Sequence, residues 1–328
     1  MEIKKANSTS AFCPPPSLEA GLRMSATPYL DALERDGFVK VPNLLPPHLL
    51  LAVKAASKYV TQNARAGHWP YVRTVPKQYP PWLDWKEGDN IWGIQHLLHP
   101  DMNVREVFAE VYFSDEVLDV VKELIGLQNG QGDDQLVMEL FNLLVSPSDK
   151  RDFELCWHRD DIRPDVTPEE EDRQLKEKSP DGRQLHAQYN LALCEDSSLI
   201  VIPGSHRRIR TDSERNADPY AARLAGQLTV ELKPGDAVFY DSNILHRGIY
   251  KGIDTGAELG RMTLHGSVGL AGYGTKRARQ VLQHAVGEWV DNAPFPTISG
   301  PKGERAEGMR KRLVEMGQGE DLGYSLVG

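Results

Sequence analysis

The sequence predicts a mainly β protein, a sandwich or barrel of short strands with helices flanking it. Two observations carry that expectation. After residue 132, β-rich runs alternate with Pro-Gly and Asp-Ser turns. Before it, apolar residues recur at helical spacing. A third observation points to a site. His158 and Asp160 stand two apart in Cys156-Trp157-His158-Arg159-Asp160-Asp161, and His246 follows far downstream in Asn243-Ile244-Leu245-His246-Arg247-Gly248. Two histidines and one carboxylate can cap one face of an octahedral ion and leave the other face open.

Residues 1–26 carry Ser, Pro and small residues, including Pro14-Pro15-Pro16, and read as a flexible N-terminal arm. Residues 27–328 read as one domain whose first part, 27–127, is largely helical. Tyr29, Leu30 and Leu33 lead into a short strand, Gly37-Phe38-Val39-Lys40-Val41. Pro46-Pro47 then opens a helix with Leu49, Leu50, Val53 and Ala56 as its apolar stripe, since proline's fixed φ suits a first turn. Residues 67–100 hold Trp69, Tyr71, Tyr79, Trp82, Trp85, Trp92, His96 and His99 among several prolines. So aromatic a segment fills the edge of a core. Trp92, Gln95 and His96 are its candidates for the wall of a substrate pocket, apolar with a few polar handles. Val107, Val111, Val117, Val120, Val121 and Leu124 predict one helix over 104–125.

The β core is expected over about 135–270, followed by a helical extension over 271–328. Strands are expected at 136–145, 153–158, 188–194, 199–202, 228–232, 237–240 and 261–268. Two insertions interrupt them. Residues 163–185 are densely charged, and 207–226 are basic, then helical around Ala221-Leu224. Such runs are usually solvated surface, but beside a metal site one can act as a cover.

Composition narrows the function. The 328 residues carry a formal charge of -9, which argues against nucleic-acid or anionic-membrane partners, since both need a basic patch. Cys13, Cys156 and Cys194 are too few for a disulfide framework and suit a reducing compartment. No apolar run reaches membrane-spanning length and no signal peptide is recognisable, so the cytoplasm is the expected location. A small-molecule substrate is the expected partner, and an oligomer remains open.

The motif has a geometric reason. On an extended strand, side chains at i and i+2 share a face, so His158 and Asp160 can reach one ion while Arg159 points away. A third ligand distant in sequence must come from a neighbouring strand. Near the end of the β run, Arg261, Thr263, His265 and Ser267 share one face, while Met262, Leu264 and Val268 share the other. A polar face of this kind can line a polar cavity, and a guanidinium can grip a carboxylate through two parallel bonds.

Four blocks follow in fixed order: Trp157-His158-Arg159-Asp160, then Ile202-Pro203-Gly204-Ser205-His206, then Lys233-Pro234-Gly235-Asp236 running to His246, then Gly260-Arg261-Met262-Thr263. In combination they resemble the phytanoyl-CoA dioxygenase family of Fe(II)- and 2-oxoglutarate-dependent oxygenases. The resemblance implies a double-stranded β-helix, a cupin-like jelly-roll barrel. It implies Fe(II) on His158, Asp160 and His246, with 2-oxoglutarate and O2 as cosubstrates. It implies that Arg261 grips the distal carboxylate of 2-oxoglutarate. An apparent loop, Lys251-Gly252-Ile253-Asp254-Thr255-Gly256-Ala257-Glu258, lengthens the gap between His246 and Arg261, and leaves Arg247 as the fallback. Asn142, Gln188 and Thr263 are further candidates for contact with 2-oxoglutarate. His206 is expected to order its turn. The implied reaction is oxidation of an unactivated C–H bond by hydroxylation, desaturation or cyclisation, with secondary metabolism as one setting. Retention of Asp160 disfavours halogenation, which needs that position vacated. The competing readings are a cupin-like metal-dependent hydrolase or isomerase, which would need neither O2 nor 2-oxoglutarate, and a non-catalytic barrel that only binds.

Overall fold

The computed structural model describes residues 27–76, 80, 82–127, 132–148, 151–177, 182–253, 260–298 and 300–319. The expected N-terminal arm and residues 254–258 of the expected loop lie outside them. Eleven strands are present among the described residues: β1 (Phe38–Val41), β2 (Val72–Arg73), β3 (Gly93–Ile94), β4 (Leu136–Val145), β5 (Phe153–Glu154), β6 (His186–Ala192), β7 (Leu199–Val201), β8 (Leu228–Thr229), β9 (Ala237–Tyr240), β10 (His246–Tyr250) and β11 (Met262–Leu270). Seven form one sheet in the order β1-β9-β6-β11-β4-β3-β2, and four form a second in the order β5-β10-β7-β8. All pairings are antiparallel. This is the predicted jelly roll with flanking helices.

Strand parity divides the interior of the roll from its outer layer. On β11, Met262, Leu264 and Val268 join the main apolar core, as do Tyr189 and Leu191 of β6, Phe141 and Leu143 of β4, and Phe239 of β9. The same core takes the apolar stripes of the helices α1 (Pro28–Asp36), α2 (Pro47–Arg65), α3 (Arg105–Tyr112) and α4 (Asp115–Leu124), which precede the roll. The alternate residues point the other way, toward the second sheet, and there the polar side chains Gln188, Asn190, Arg261 and His265 gather. After β5 come α5 (Pro168–Leu175) and α6 (Asp212–Arg215), both in the insertions. The C-terminal helices α7 (Thr275–Gln283) and α8 (Gly300–Met316) pack on the outer face of the large sheet.

The expected helix over 104–125 is two helices. Ser114 interrupts it, and its hydroxyl accepts a hydrogen bond from the Val117 N–H and starts α4 afresh. The expected strand at 228–232 is formed only at Leu228–Thr229, and Leu232 pairs instead with Asp196 across an isolated bridge. His206, expected to order its own turn, instead reaches out with its ring to the end of α1, where Nε2 lies 3.2 Å from the Glu34 carbonyl. Its ring packs against Gly37, whose φ of 82° closes α1 and where a Cβ would stand 2.4 Å from the imidazole. No described helix is long and apolar enough to cross a membrane.

The charged insertion is anchored from within. Thr167 caps α5 by accepting from the Glu170 N–H. One turn in, Glu171 is fully buried and accepts from Arg159 Nε at 2.9 Å, Arg210 Nη1 at 2.8 Å and Arg215 Nη2. Arg159, the residue between the two motif positions, therefore points away from the site as parity requires. Its remaining N–H groups go to the carbonyls of Ser205, Arg208 and Asn243. Removing the central carboxylate would strand buried cations. Glu171→Ala is expected to destabilise the fold by about 3–5 kcal/mol, read as a lowered midpoint in guanidinium unfolding. A loss below about 1 kcal/mol, the range of exposed pairs, would show that this network does not anchor the insertion.

Candidate metal centre and its cavities

The centre starts from the backbone. His158 donates its N–H to the His246 carbonyl at 2.9 Å and accepts from the His246 N–H at 3.0 Å. Residues that exchange both bonds in an antiparallel pair lie directly opposite and on one face. Their imidazole rings accordingly sit 4.3 Å apart, centroid to centroid. Asp160, two residues on, brings Oδ1 to 3.4 Å from His158 Nε2 and 3.7 Å from His246 Nε2. One donor atom from each of the three lies within 4.8 Å of the others.

Hydrogen bonding fixes what those atoms offer. His158 Nδ1 lies 2.7 Å from the Cys156 carbonyl, and His246 Nδ1 lies 2.9 Å from the Ile244 carbonyl. A carbonyl only accepts, so each Nδ1 carries the proton and each Nε2 presents a lone pair. The second oxygen of Asp160 is held by Gln188 Nε2 at 2.7 Å. With both rings neutral, two imidazole lone pairs and a carboxylate oxygen converge with no proton between them. They repel one another unless a cation sits among them, so the donor set fits a metal ion. Burial and the neighbouring His158 push His246 down to about 4, which keeps it neutral and ligand-ready. Desolvation opposes ionisation of Asp160, although its side chain is 31% exposed; on acidification the protonated rings of His246 and His158, with the Gln188 amide, outweigh it and hold the carboxyl far below the usual range.

A cavity of about 130 Å³ opens from this face. His246, Gly248 and Tyr250 line it from β10 at the period of a strand, and Asn190, Tyr240, Arg261 and His265 line it from the large sheet. Gly248 makes room for the ring of Tyr250, since a Cβ there would stand 2.9 Å from it. Arg261 is buried with its guanidinium 4.3 Å from the centre of that ring. Its Nε donates to Asp196 Oδ2 at 2.9 Å, and Thr263 Oγ1 donates to the same oxygen at 2.5 Å. Asp196 Oδ1 accepts from the N–H and the hydroxyl of Ser198. The guanidinium is therefore fixed on one edge, while its Nη1 is buried without a hydrogen-bond partner among the described residues. An orphaned guanidinium N–H on the wall of a metal cavity fits the distal carboxylate of 2-oxoglutarate.

The other candidates are distributed as follows. Trp92 lines the cavity and stacks on Phe153 at 4.7 Å. Gln188 reaches the centre through Asp160. Thr263 faces inward, but its hydroxyl is taken by Asp196. Asn142 lies opposite His265 and accepts from the His96 N–H at 3.1 Å. Gln95 and His96 line neither this cavity nor the larger one beside it, and His96 is buried among Tyr71, Trp82 and Trp289. Arg247, the fallback for 2-oxoglutarate, falls on the opposite face of β10 from His246. There it is fully buried, bonded to Glu154 and to the carbonyls of Tyr220 and Ala221. Of the two arginines, only Arg261 lines the metal cavity.

Sequence reasoning passed over Asp196, Tyr250 and Arg73. Asp196 sits in Glu195-Asp196-Ser197-Ser198, which reads as an ordinary turn. Tyr250 could have been found, because it shares strand parity with His246. Arg73 lines the cavity from a strand of two residues inside the aromatic segment, too short to leave a pattern. A second cavity of about 630 Å³ adjoins the first and shares Leu155 and His158 with it.

Comparison with known proteins accords with this geometry. The model of the family described as phytanoyl-CoA dioxygenase (PhyH) matches residues 33–249. Among solved structures, EctD from S. alaskensis with 2-oxoglutarate and 5-hydroxyectoine superposes with a TM-score of 0.50 at 19% identity, covering 74% of this chain and 76% of that one. AviO1 from Streptomyces viridochromogenes Tue57 gives 0.48 at 18% identity, over 74% and 93% of the two chains. HygX from Streptomyces hygroscopicus, solved with nickel, 2-oxoglutarate and hygromycin B, gives 0.48 at 13%, over 74% and 86%. At these identities the likeness concerns the fold. No curated protein sequence matches the chain.

The bond from Gln188 to Asp160 makes a separable prediction. Gln188→Ala leaves all three donors in place but frees the carboxylate to rotate. Fe(II) affinity, titrated anaerobically, is expected to fall about 10- to 100-fold, whereas His158→Ala or His246→Ala should abolish stoichiometric binding. Unchanged affinity in Gln188→Ala would show that Asp160 is oriented by other means.

Proposed function

The chain belongs to the phytanoyl-CoA dioxygenase family, and from that premise we propose that it oxidises an unactivated C–H bond of a small organic substrate by hydroxylation, desaturation or oxidative cyclisation. It is an iron- and 2-oxoglutarate-dependent non-haem oxygenase. The observation that carries the finer reading is a juxtaposition. Three proton-free donors converge on one side of a small cavity, and Arg261 presents an unpartnered N–H on its wall.

Each residue has a part in the reading. His158, Asp160 and His246 would hold the iron, with both imidazoles locked in the ligating tautomer by the Cys156 and Ile244 carbonyls. Arg261 would take the distal carboxylate of 2-oxoglutarate. Asp196 holds its Nε edge, and the Tyr250 ring lies against its face. Bound together there, iron, 2-oxoglutarate and O2 supply the oxidising power for C–H cleavage, chemistry that no side chain provides. Tyr240, Tyr250 and Trp92 wall the cavity with buried rings, while His158 and Asp160 stay partly open toward the side from which substrate would enter. Asp160 keeps its carboxylate, which favours oxygenation over halogenation. A metal-dependent hydrolase would have no use for the open edge of Arg261, and nothing in the site favours that reading.

Arg261→Ala should raise the 2-oxoglutarate concentration needed for half-maximal succinate release roughly 10- to 100-fold, the loss of a charge-assisted contact worth on the order of 1.5–3 kcal/mol. Lys at this position should rescue only part, because an ammonium cannot share its edges between Asp196 and a second carboxylate. An unchanged 2-oxoglutarate dependence in Arg261→Ala would remove Arg261 from the site.

A further inference from the structure

We propose that the 630 Å³ cavity beside His158 is the substrate site and that it selects an organic anion, an apolar body ending in a carboxylate, with Arg210 holding the carboxylate. The link to turnover rests on the oxygenase reading above, while the site and its selectivity rest on the cavity itself.

Position comes first. Leu155 and His158 are walls of both cavities, so a molecule filling the larger one lies against the His158 edge of the metal centre. The volume lies inside the range of roughly 300–1,000 Å³ typical of small-molecule sites. The walls are largely apolar, with Trp157, Leu224, Leu245 and the ring of Tyr220 among them. They are also well braced. Trp157 Nε1 donates to the Ala221 carbonyl at 2.9 Å, and Arg247 fixes the same segment from behind through the carbonyls of Tyr220 and Ala221.

Charge gives the class. Arg159, Arg210 and Arg215 share the single carboxylate of buried Glu171, and Arg208 is taken up by Glu214 through two bonds of 2.7 Å. Four guanidinium groups thus face two glutamates. Asp218, on the same wall, is turned to the Tyr220 N–H at 2.7 Å, and Glu214 lines the chamber too, so Arg210 and Arg215 are matched by two carboxylates and the selectivity rests on Arg210 alone. Within the group Arg210 is distinctive. It lines the cavity, it is only 6% exposed, and its Nη1 is held by Glu171, while its Nη2 is buried with no hydrogen-bond partner among the described residues. Leaving a buried charged donor unpaired is costly, and an anionic acceptor relieves it. One unpaired guanidinium nitrogen on a largely apolar chamber suits a single carboxylate on a hydrophobic body better than a polyphosphate, which needs several donors.

The test is a matched pair of probes, naphthalene-1-acetic acid and naphthalene-1-acetamide, titrated calorimetrically into the full chain. Titrations are run on the metal-free protein and again with Mn(II) and saturating 2-oxoglutarate, so that the acid cannot be read at Arg261. The acid is expected to bind about tenfold or more tightly than the amide in both forms. Arg210→Gln should bring the ratio close to one while changing amide affinity little. Leu224→Trp, which fills the chamber and leaves the arginine network intact, should weaken both probes. Equal affinity of acid and amide for the unaltered protein would overturn the proposal, a result that does not depend on any variant folding. So would a preference that survives Arg210→Gln but disappears in Arg261→Ala, or failure of both probes to bind at millimolar concentration. Failure of Mn(II) or 2-oxoglutarate to bind, with the acid preference intact, would instead count against the oxygenase reading.

Discussion

The site depends on one pair of backbone hydrogen bonds, those exchanged between His158 and His246. They set two histidines, distant in sequence, directly opposite one another on the edge of β10. Everything else in the centre is then a matter of parity. Asp160 follows His158 by two residues and shares its face, while Arg159 is thrown outward. Gly248 and Tyr250 follow His246 by two and four and carry the same face along the cavity, while Arg247 is thrown outward. The large sheet contributes Gln188, whose amide spans the interior to hold the free oxygen of Asp160. A slip of one residue in this pairing would exchange the ligands for arginines.

The two arginines argued to bind carboxylates are prepared in the same way. Arg261 is held on one edge by buried Asp196, and Arg210 by buried Glu171. Each retains one nitrogen without a partner among the described residues. A long cationic side chain is thereby immobilised before any ligand arrives, so less entropy is lost on binding. Asp196 and Glu171 also temper the cost of burying a lone guanidinium. The first pair sits within the roll and the second at the base of the insertions. This explains how a densely charged insertion can be part of the site: its acidic residue is an internal counter-ion.

Much of this was legible in the sequence, because strands repeat every two residues. The parity of His158 and Asp160 and the inward face bearing Arg261 and His265 could both be read in advance. The choice between Arg261 and Arg247 could not be made from spacing, since it depends on which face of β10 looks inward. Gln95 and His96 were sought in the pocket because polar residues among aromatics suggest one, yet they lie in the aromatic layer around Tyr71 and Trp289. The wall at 219–224 was hidden because Ala221-Leu224 reads as helix, whereas the chain there is irregular and the helix of that insertion is Asp212–Arg215; Asp196 was hidden because it resides in a connection, where sequence carries no periodic signal. The interruption at Ser114 was missed because the apolar positions on both sides remain in helical phase.

The most direct test is X-ray absorption at the iron edge of the anaerobic Fe(II)-loaded protein with 2-oxoglutarate. It should report a first shell of light atoms only, with the multiple-scattering signature of two imidazoles. One imidazole, or a sulfur scatterer contributed by Cys156, would mean that His158 and His246 do not close on a common ion, and the centre described here would be wrong.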